Sequence, residues 1–171
     1  MAMGDPKGGR PYMPGYGLRD AAQGTGLLPW SWAVERLERS HDYWVATIRP
    51  DGRPHVMPVW GIWLEGAVWF SSSRGSRKAR NLSANRNCAI TTDNAYEPVI
   101  IEGAAHPIPD LPTVARFVAA INQKYKTDYS LDFFNPDSNV CFRIQPTWAF
   151  GLTESDFTGS PTRWLFPPTV D

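Results

Sequence analysis

Short runs of apolar residues, several of them rich in aromatic and β-branched side chains, predict strands along most of the chain. Tyr43 to Ile48 reads as a strand, and Pro50-Asp51-Gly52 marks a turn after it. A second strand covers about Pro54 to Leu64, Glu65-Gly66 turns the chain, and Ala67 to Ser71 forms a third, so the three make a meander. Asn87 to Thr92 and Val99 to Ala105 add two more strands, and Glu102-Gly103 marks a strand bulge. Val140 to Ile144 and Trp148 to Leu152 follow as strands on either side of Pro146. Helical spacing is confined to three places. Val114, Phe117, Val118 and Ile121 fall at i, i+3, i+4 and i+7, which predicts a helix from Asp110 to about Tyr125. Shorter helices are expected from about Trp32 to Arg39, with Ser31 as N-cap, and from about Ser76 to Ala84. Six or seven strands with two or three helices predict a mainly β fold, a small barrel with flanking helices.

The second strand departs from simple alternation. Val56, Pro58, Trp60 and Ile62 point one way, Met57, Val59 and Trp63 the other, so both faces are apolar and both need cover. One face can fill a barrel; the other calls for a ligand or a second subunit. Pro58 has no N–H to give to a ladder, which places it at an edge or a bulge, where a planar ligand could meet backbone groups.

Composition sharpens the domain boundaries. Residues 1–28 hold seven of the fourteen glycines together with Pro6, Pro11 and Pro14, and are read as a flexible N-terminal arm; residues 29–171 are read as a single domain. Thr127 to Asn139 is an irregular stretch carrying Phe133 and Phe134, and Thr162 to Phe166 forms a tail before Pro167-Pro168. Eight Trp, six Tyr and eight Phe supply flat apolar surface for a core, an interface or an aromatic ligand. Seventeen Lys plus Arg balance seventeen Asp plus Glu, so no whole-protein field favours nucleic acid or an anionic membrane, and any basic site must be local. No run approaches the ~18 apolar residues of a membrane span, and no apolar leader opens the chain. The expected location is the cytoplasm. Cys88 and Cys141 lie in apolar runs and read as buried free thiols.

The chemically dense segment runs from Ser71 to Arg80, where Ser71, Ser72, Ser73 and Ser76 mingle with Arg74, Arg77, Lys78 and Arg80 across a strand-to-helix junction. A helix N-terminus offers free N–H groups and partial positive charge, hydroxyls add donors, and Lys or Arg adds charge-assisted bonds. That chemistry suits a phosphate; a solvated basic helix capped by Ser76 is the alternative. The Gly-x4-Gly-Lys-Ser/Thr spacing of a P-loop and the glycine fingerprint of a Rossmann site are both missing. His41, His55 and His106 fall in no metal-ligand spacing, and no Gly-x-Ser-x-Gly elbow exists. No metal site is expected.

Three landmarks together resemble a known family. They are Asp51-Gly52-Arg53-Pro54-His55-Val56-Met57-Pro58-Val59-Trp60; Phe70-Ser71 followed by Ser76-Arg77-Lys78-Ala79-Arg80-Asn81-Leu82; and Ile144-Gln145-Pro146-Thr147-Trp148-Ala149-Phe150-Gly151. In order and spacing they resemble the pyridoxamine 5′-phosphate oxidase-like split β-barrel superfamily over about Trp30 to Leu152. Lys78 to Leu82 resembles its flavin/deazaflavin oxidoreductase branch, which often uses coenzyme F-420. The resemblance implies a six-stranded split β-barrel, a homodimer with the cofactor at its interface, and hydride transfer by the ring to a small-molecule substrate with no dedicated catalytic acid or base. It implies that Ser71, Ser76 and Lys78, with Arg77 and Arg80 beside them, bind the cofactor phosphate. Backbone at Val56, Met57, Pro58 and Val59 would line the flavin-like ring, and Tyr96 would cover it from the partner subunit. Trp148 and Phe150 would be barrel or pocket residues. The substrate-phosphate signature of a true pyridoxamine phosphate oxidase is missing, and the Thr127–Asn139 stretch, the N-terminal arm and the Arg163-Trp164 tail are local additions that shape either a substrate pocket or the dimer packing. The expectation is therefore an oxidoreductase using coenzyme F-420, with an FMN-dependent enzyme, a non-enzymatic flavin or haem binder and a nucleic-acid module as alternatives.

Overall fold

A computed structural model describes residues 6–167. Eight strands occur in the order β1 (Lys7–Gly9), β2 (Asp42–Ile48), β3 (Pro54–Leu64), β4 (Ala67–Ser73), β5 (Asn87–Thr92), β6 (Val99–Pro107), β7 (Asn139–Gly151) and β8 (Thr162–Leu165). Helices α1 (Trp30–Arg39), α2 (Arg77–Ala84) and α3 (Leu111–Tyr125) flank them. All pairings are antiparallel, and the sheet order β7-β4-β3-β2-β5-β6 closes through a β6–β7 pairing into a six-stranded barrel. β8 and β1 extend it beside β7.

The barrel interior is packed by Tyr43, Val45, Val68, Phe70, Ile90, Ile101 and Ile144, among others. A second core lies outside the barrel, where Val114, Phe117, Val118 and Ile121 of α3 cover Ile62, Trp69 and Cys141. The i, i+3, i+4, i+7 pattern is thus spent against β3, β4 and β7. Asp110 caps this helix by accepting from the Thr113 N–H at 2.9 Å. Cys88 and Cys141 are buried and free, and burial pushes both thiols up to about 12.

Helix α1 starts before the expected Trp32. Pro29, with φ of −67° and extended ψ, leads the chain in, and Ser31 falls inside the first turn instead of capping it. Trp30 then packs edge-on against Trp63, Trp164 and Phe166.

β7 runs unbroken through Pro146, where the sequence suggests two strands. At that point β7 leaves β4, its neighbour up to Ile144, and takes up β8 from Trp148 onward. On its other side the register shifts between Glu102 and Gly103, the bulge the Glu-Gly pair signals. A missing N–H is tolerated where partners change.

Of residues 1–28, read from composition as a flexible arm, residues 1–5 lie outside the described residues and residues 6–28 are tied to the C-terminal segment. β1 pairs with β8, Arg163 Nε donates to the Arg10 carbonyl at 2.8 Å, and the Leu28 N–H donates to Thr162 Oγ1 at 2.9 Å. Asp156 Oδ2 accepts from the Thr25 N–H at 2.6 Å and the Thr25 hydroxyl at 2.8 Å, while Oδ1 accepts from the Gly159 N–H at 3.0 Å. These donors hold its carboxyl below the usual carboxylate range, the Thr25 N–H first. A Cβ on Gly24, where φ is +67°, would come within 2.5 Å of that carboxylate, so the turn needs glycine twice over. Composition alone misses these long-range partners for backbone groups that burial by itself does not order.

Candidate cofactor site

The site follows from how β3 is paired. Residues 54–60 pair with β2 and residues 61–64 with β4. Between Pro54 and Trp60 the strand therefore has a neighbour on one side only, and alternate residues turn N–H and C=O groups toward the open side. β4 has swung away by then: Val68 to Phe70 pair with both β3 and β7, whereas Ser71 to Ser73 pair with β7 and not with β3. The split is the space between, and Pro58 sits on its edge.

Three contacts fix the split at Gly61. The glycine is in tight contact, since a Cβ there would meet the Trp69 carbonyl at 2.9 Å. Its N–H donates to the Tyr125 hydroxyl at 2.9 Å, which donates in turn to the His41 carbonyl at 2.5 Å. The Tyr125 ring stacks on Trp60 with centroids 4.3 Å apart and planes 5° from parallel. Lys124 Nζ donates to the Gly61 carbonyl at 2.8 Å. Burial lowers the Lys124 pKa to about 8, against the pull of Asp93 and Asp42. The end of α3 thus pins β3 where it changes neighbours.

At the other side of the split, Ser76 caps α2 by accepting from the Ala79 N–H at 3.1 Å and shares a hydrogen bond of 2.8 Å with Ser72. Asn81, almost fully buried, donates to Thr47 Oγ1 at 2.9 Å and so locks α2 onto β2. Lys78 is half-buried, and burial lowers its pKa. Burial also lowers that of His55, with Arg49, Arg77 and Lys78 adding to the effect. Among the described residues, none of Arg74, Arg77, Lys78 and Arg80 is paired with a carboxylate.

A cavity of about 250 Å³ joins these parts. Pro58, Val59 and Trp60 line it from β3, Ser71 and Lys78 from the α2 side. The far wall is aromatic: Phe117 of α3, and Tyr129, Phe133 and Phe134 from the stretch after it. Of the residues the sequence points to, Pro58, Val59, Ser71 and Lys78 line this one cavity. Ser76 stands behind it as the cap, and Arg77 and Arg80 are exposed on α2. Val56 and Met57 lie farther along the same open edge, half-exposed. Tyr96 is outside the cavity, on the loop between β5 and β6, and is 69% exposed.

Sequence reasoning missed Trp60, Phe117 and Ile121 as site residues. Phe117 and Ile121 carried the signal of a core helix, which they also are. Tyr129, Phe133 and Phe134 belong to the Thr127–Asn139 stretch, which the sequence leaves between a pocket wall and dimer packing; they line the cavity. What organises that stretch is Asn122: its Oδ1 accepts from the Tyr129 N–H and the Thr127 hydroxyl, and its Nδ2 donates to the Tyr129 carbonyl, all at 2.9 Å. Asn139 Nδ2 donates to the Phe133 carbonyl at 2.8 Å, and Arg74 Nε to the Pro136 carbonyl.

Residues 33–152 match the pyridoxamine 5′-phosphate oxidase family profile. The chain belongs to the pyridoxamine 5′-phosphate oxidase family. No curated protein matches it. Among solved structures it is similar to an F-420 reductase, with 27% identity and a TM-score of 0.56 over 67% of this chain and 93% of that one. It also resembles the conserved hypothetical protein Rv2991 from Mycobacterium tuberculosis, with 19% identity and a TM-score of 0.65 over 84% and 92% of the two chains. HutZ, the haem storage protein of Vibrio cholerae, shares the fold at 19% identity and a TM-score of 0.55 over 68% and 86%. Membership in the pyridoxamine 5′-phosphate oxidase family joins the chain to flavin- and deazaflavin-binding oxidoreductases in the broad sense. No helix among the described residues is long and apolar enough to cross a membrane, and no cluster of His, Cys, Asp and Glu there suits a metal.

Proposed function

We propose that this protein is an oxidoreductase that binds coenzyme F-420 and transfers hydride to a small organic substrate. One observation carries the reading: at a capped helix start Lys78, with no carboxylate partner among the described residues, shares a single cavity with a one-sided strand edge. The residues fit such a cofactor. Lys78, Ser71 and the first N–H groups of α2 suit its phosphate, with Arg77 and Arg80 adding charge at the rim. The open edge at Val56 to Val59 suits the hydrogen-bonding rim of a planar heterocycle. When bound, the reduced ring would supply a hydride to an electron-poor carbon of the substrate, leaving itself oxidised, while a proton from water completes the product. The protein contributes position. Tyr125 and Lys124 hold Trp60 and Gly61, and the aromatic wall keeps water out.

The alternative is FMN. Coenzyme F-420 is favoured because it carries an acidic tail beyond its phosphate, and Arg74, Arg77 and Arg80 offer charge with no carboxylate partner among the described residues. The active form in this reading is a homodimer. Trp44, Ile48, Val56 and Trp60 lie 41–51% exposed on neighbouring outward positions of β2 and β3, a face that suits a second copy. Tyr96 of the partner subunit would then cover the ring. We place the protein in the cytoplasm, where its buried thiols stay reduced.

The test is a comparison of coenzyme F-420, FMN, FAD and haem as ligands, read by quenching of the eight tryptophans. Quenching by coenzyme F-420 but not FMN is expected. A yellow protein with the FMN spectrum would move the assignment to FMN, and tight binding without turnover on any acceptor would leave a binder. Light scattering at micromolar concentration is expected to give a dimer mass, and a monomer would remove the interface from the site.

A further inference from the structure

A second cavity lies at one end of the barrel. β4 ends at Ser73, β5 begins at Asn87, β6 ends at Pro107 and β7 begins at Asn139. Ser73 pairs with Asn139 and Pro107 with Phe142, so these strand ends surround one opening. Helix α2, which joins β4 to β5, lies across it, and its Ala79 and Leu82 belong to the same core as Val140 and Phe142. Ala79 and Ser83 are short and fall at i and i+4, one row of the helix surface. Along that row the helix leaves a gap toward β7, a cavity of about 360 Å³, within the roughly 300–1,000 Å³ usual for small ligands. No residue lines both this cavity and the one beside β3.

Floor and rim differ in chemistry. Leu82, Val140 and Phe142 make the floor and are buried, whereas Arg74 and Arg86 line the cavity from exposed positions at opposite ends of α2. Both arginines stand on fixed backbone. The Arg74 N–H donates to the Ser138 carbonyl at 2.9 Å, and the Arg86 carbonyl accepts from the Ala105 N–H at 2.9 Å. Arg74 Nε donates to the Pro136 carbonyl, which leaves its two terminal nitrogens for a ligand. The Ser83 hydroxyl donates to the Ala79 carbonyl at 2.9 Å, so it has no proton left for an anion. No carboxylate lines the cavity, and neither arginine has one as partner among the described residues. Two like charges at one rim repel, and an anion between them removes that repulsion. A guanidinium meets a carboxylate through paired, parallel hydrogen bonds. The floor offers a charge neither water nor a counter-ion, so what rests on it must be apolar. Arg77 and Arg80 do not line this cavity and stay available to an acidic tail of the cofactor.

We propose that the cavity between α2 and β7 is a second binding site and that it takes a small monocarboxylate. Arg74 and Arg86 hold the carboxylate at the rim, and a compact apolar body rests on Leu82, Val140 and Phe142. The site stands on its own observations and does not depend on which cofactor the β3 edge holds.

The experiment is isothermal titration calorimetry of the full chain with 3-phenylpropanoate. Two partial probes accompany it: 3-phenylpropan-1-ol, the same body without the charge, and acetate, the charge without the body. The complete probe should bind with a single-site isotherm, and each partial probe about tenfold or more weakly. Arg86 forms no ion pair among the described residues, so Arg86→Gln alters the ligand's partner and not the fold. It should raise Kd about tenfold. Ser83→Phe fills the gap from an exposed position and should abolish binding while the thermal midpoint is kept. Saturation with coenzyme F-420 or FMN should change the affinity for 3-phenylpropanoate by less than about twofold, as for independent sites. The proposal is overturned by an absence of binding, by the alcohol binding as tightly as the acid, or by an affinity unmoved in Arg86→Gln or in Ser83→Phe. Displacement of the probe by coenzyme F-420 also overturns it, because the two arginines would then belong to the acidic tail of that cofactor. None of the first four results touches the cofactor reading, and a protein that takes up no cofactor but binds 3-phenylpropanoate as described would leave this site standing alone.

Discussion

Replacing Lys78 with alanine takes away the ammonium group that shares the cavity with Ser71 at the start of α2. In the free protein this group is half-buried, has no carboxylate partner among the described residues, and is pushed by burial toward its neutral form. Its removal therefore relieves a burial penalty and breaks no ion pair. The unfolding midpoint should stay within roughly 2 °C of wild type, less than a 1 kcal/mol loss would produce in a chain of this size. Binding should respond differently. A charge-assisted hydrogen bond to a phosphate is worth about 1.5–3 kcal/mol, which raises Kd by about tenfold to a hundredfold. Lys78→Arg should recover most of the loss, and Ser71→Ala, which removes an uncharged donor, should weaken binding by less than about tenfold. The assay is a tryptophan-quenching titration with coenzyme F-420 and FMN at two salt concentrations, alongside a thermal melt. An unchanged Kd in Lys78→Ala would refute the phosphate role. A raised Kd together with a midpoint many degrees down would refute the view that this lysine serves binding and not the fold.

Three further outcomes follow from contacts elsewhere. Tyr125→Phe keeps the stack on Trp60 but leaves the Gly61 N–H without its acceptor, so urea unfolding should show a loss of about 1–3 kcal/mol; an unchanged midpoint would remove the pin at the split. Asn81→Ala deletes a buried donor to Thr47 Oγ1 and should cost about 1–2 kcal/mol, with weaker cofactor binding because α2 is no longer locked to β2; intact binding would separate the two. Cys88 and Cys141 have pKa values near 12 in the fold against an ordinary 9.0, and Tyr125 near 12 against 10.0. The unfolded chain loses those protons first, so the stability these groups contribute is complete below about pH 9 and is lost between about pH 9 and 12. Lys124, near 8 against 10.5, opposes this, because stability rises as pH passes from its folded to its unfolded value. Melts from pH 8 to 10.5 should therefore fall more steeply for Lys124→Met than for wild type, and parallel curves would contradict the assignment.

How much of this was legible beforehand depended on how local the cause was. Ser76 and Asp110 announced helix starts because a cap acts on residues two or three positions away. Glu102-Gly103 announced its bulge and Pro58 its edge position for the same reason, a backbone preference of the residue itself. The barrel, and Ser71 and Lys78 at the mouth of a helix, were readable from runs, turns and the ordered landmarks. Ser31 misled because Pro29 already set the entry angle. The unbroken course of β7 through Pro146 depends on a change of neighbour from β4 to β8, which no window around Pro146 contains. The Thr127–Asn139 stretch stayed open between pocket and dimer packing because Asn122, Asn139 and Arg74 order it through contacts that have no periodic signature. The tethered first segment was hidden because its partners lie at the opposite terminus.

That tether has a thermodynamic corollary. With one carboxylate receiving donors from Thr25 and from Gly159, the leading and trailing segments are a single cooperative unit despite their separation in sequence. Their amides should exchange with solvent at a common rate, slower than an untied glycine-rich strand allows, and Asp156→Ala should release both at once. Protonation of that carboxyl in acid should do the same before the barrel opens.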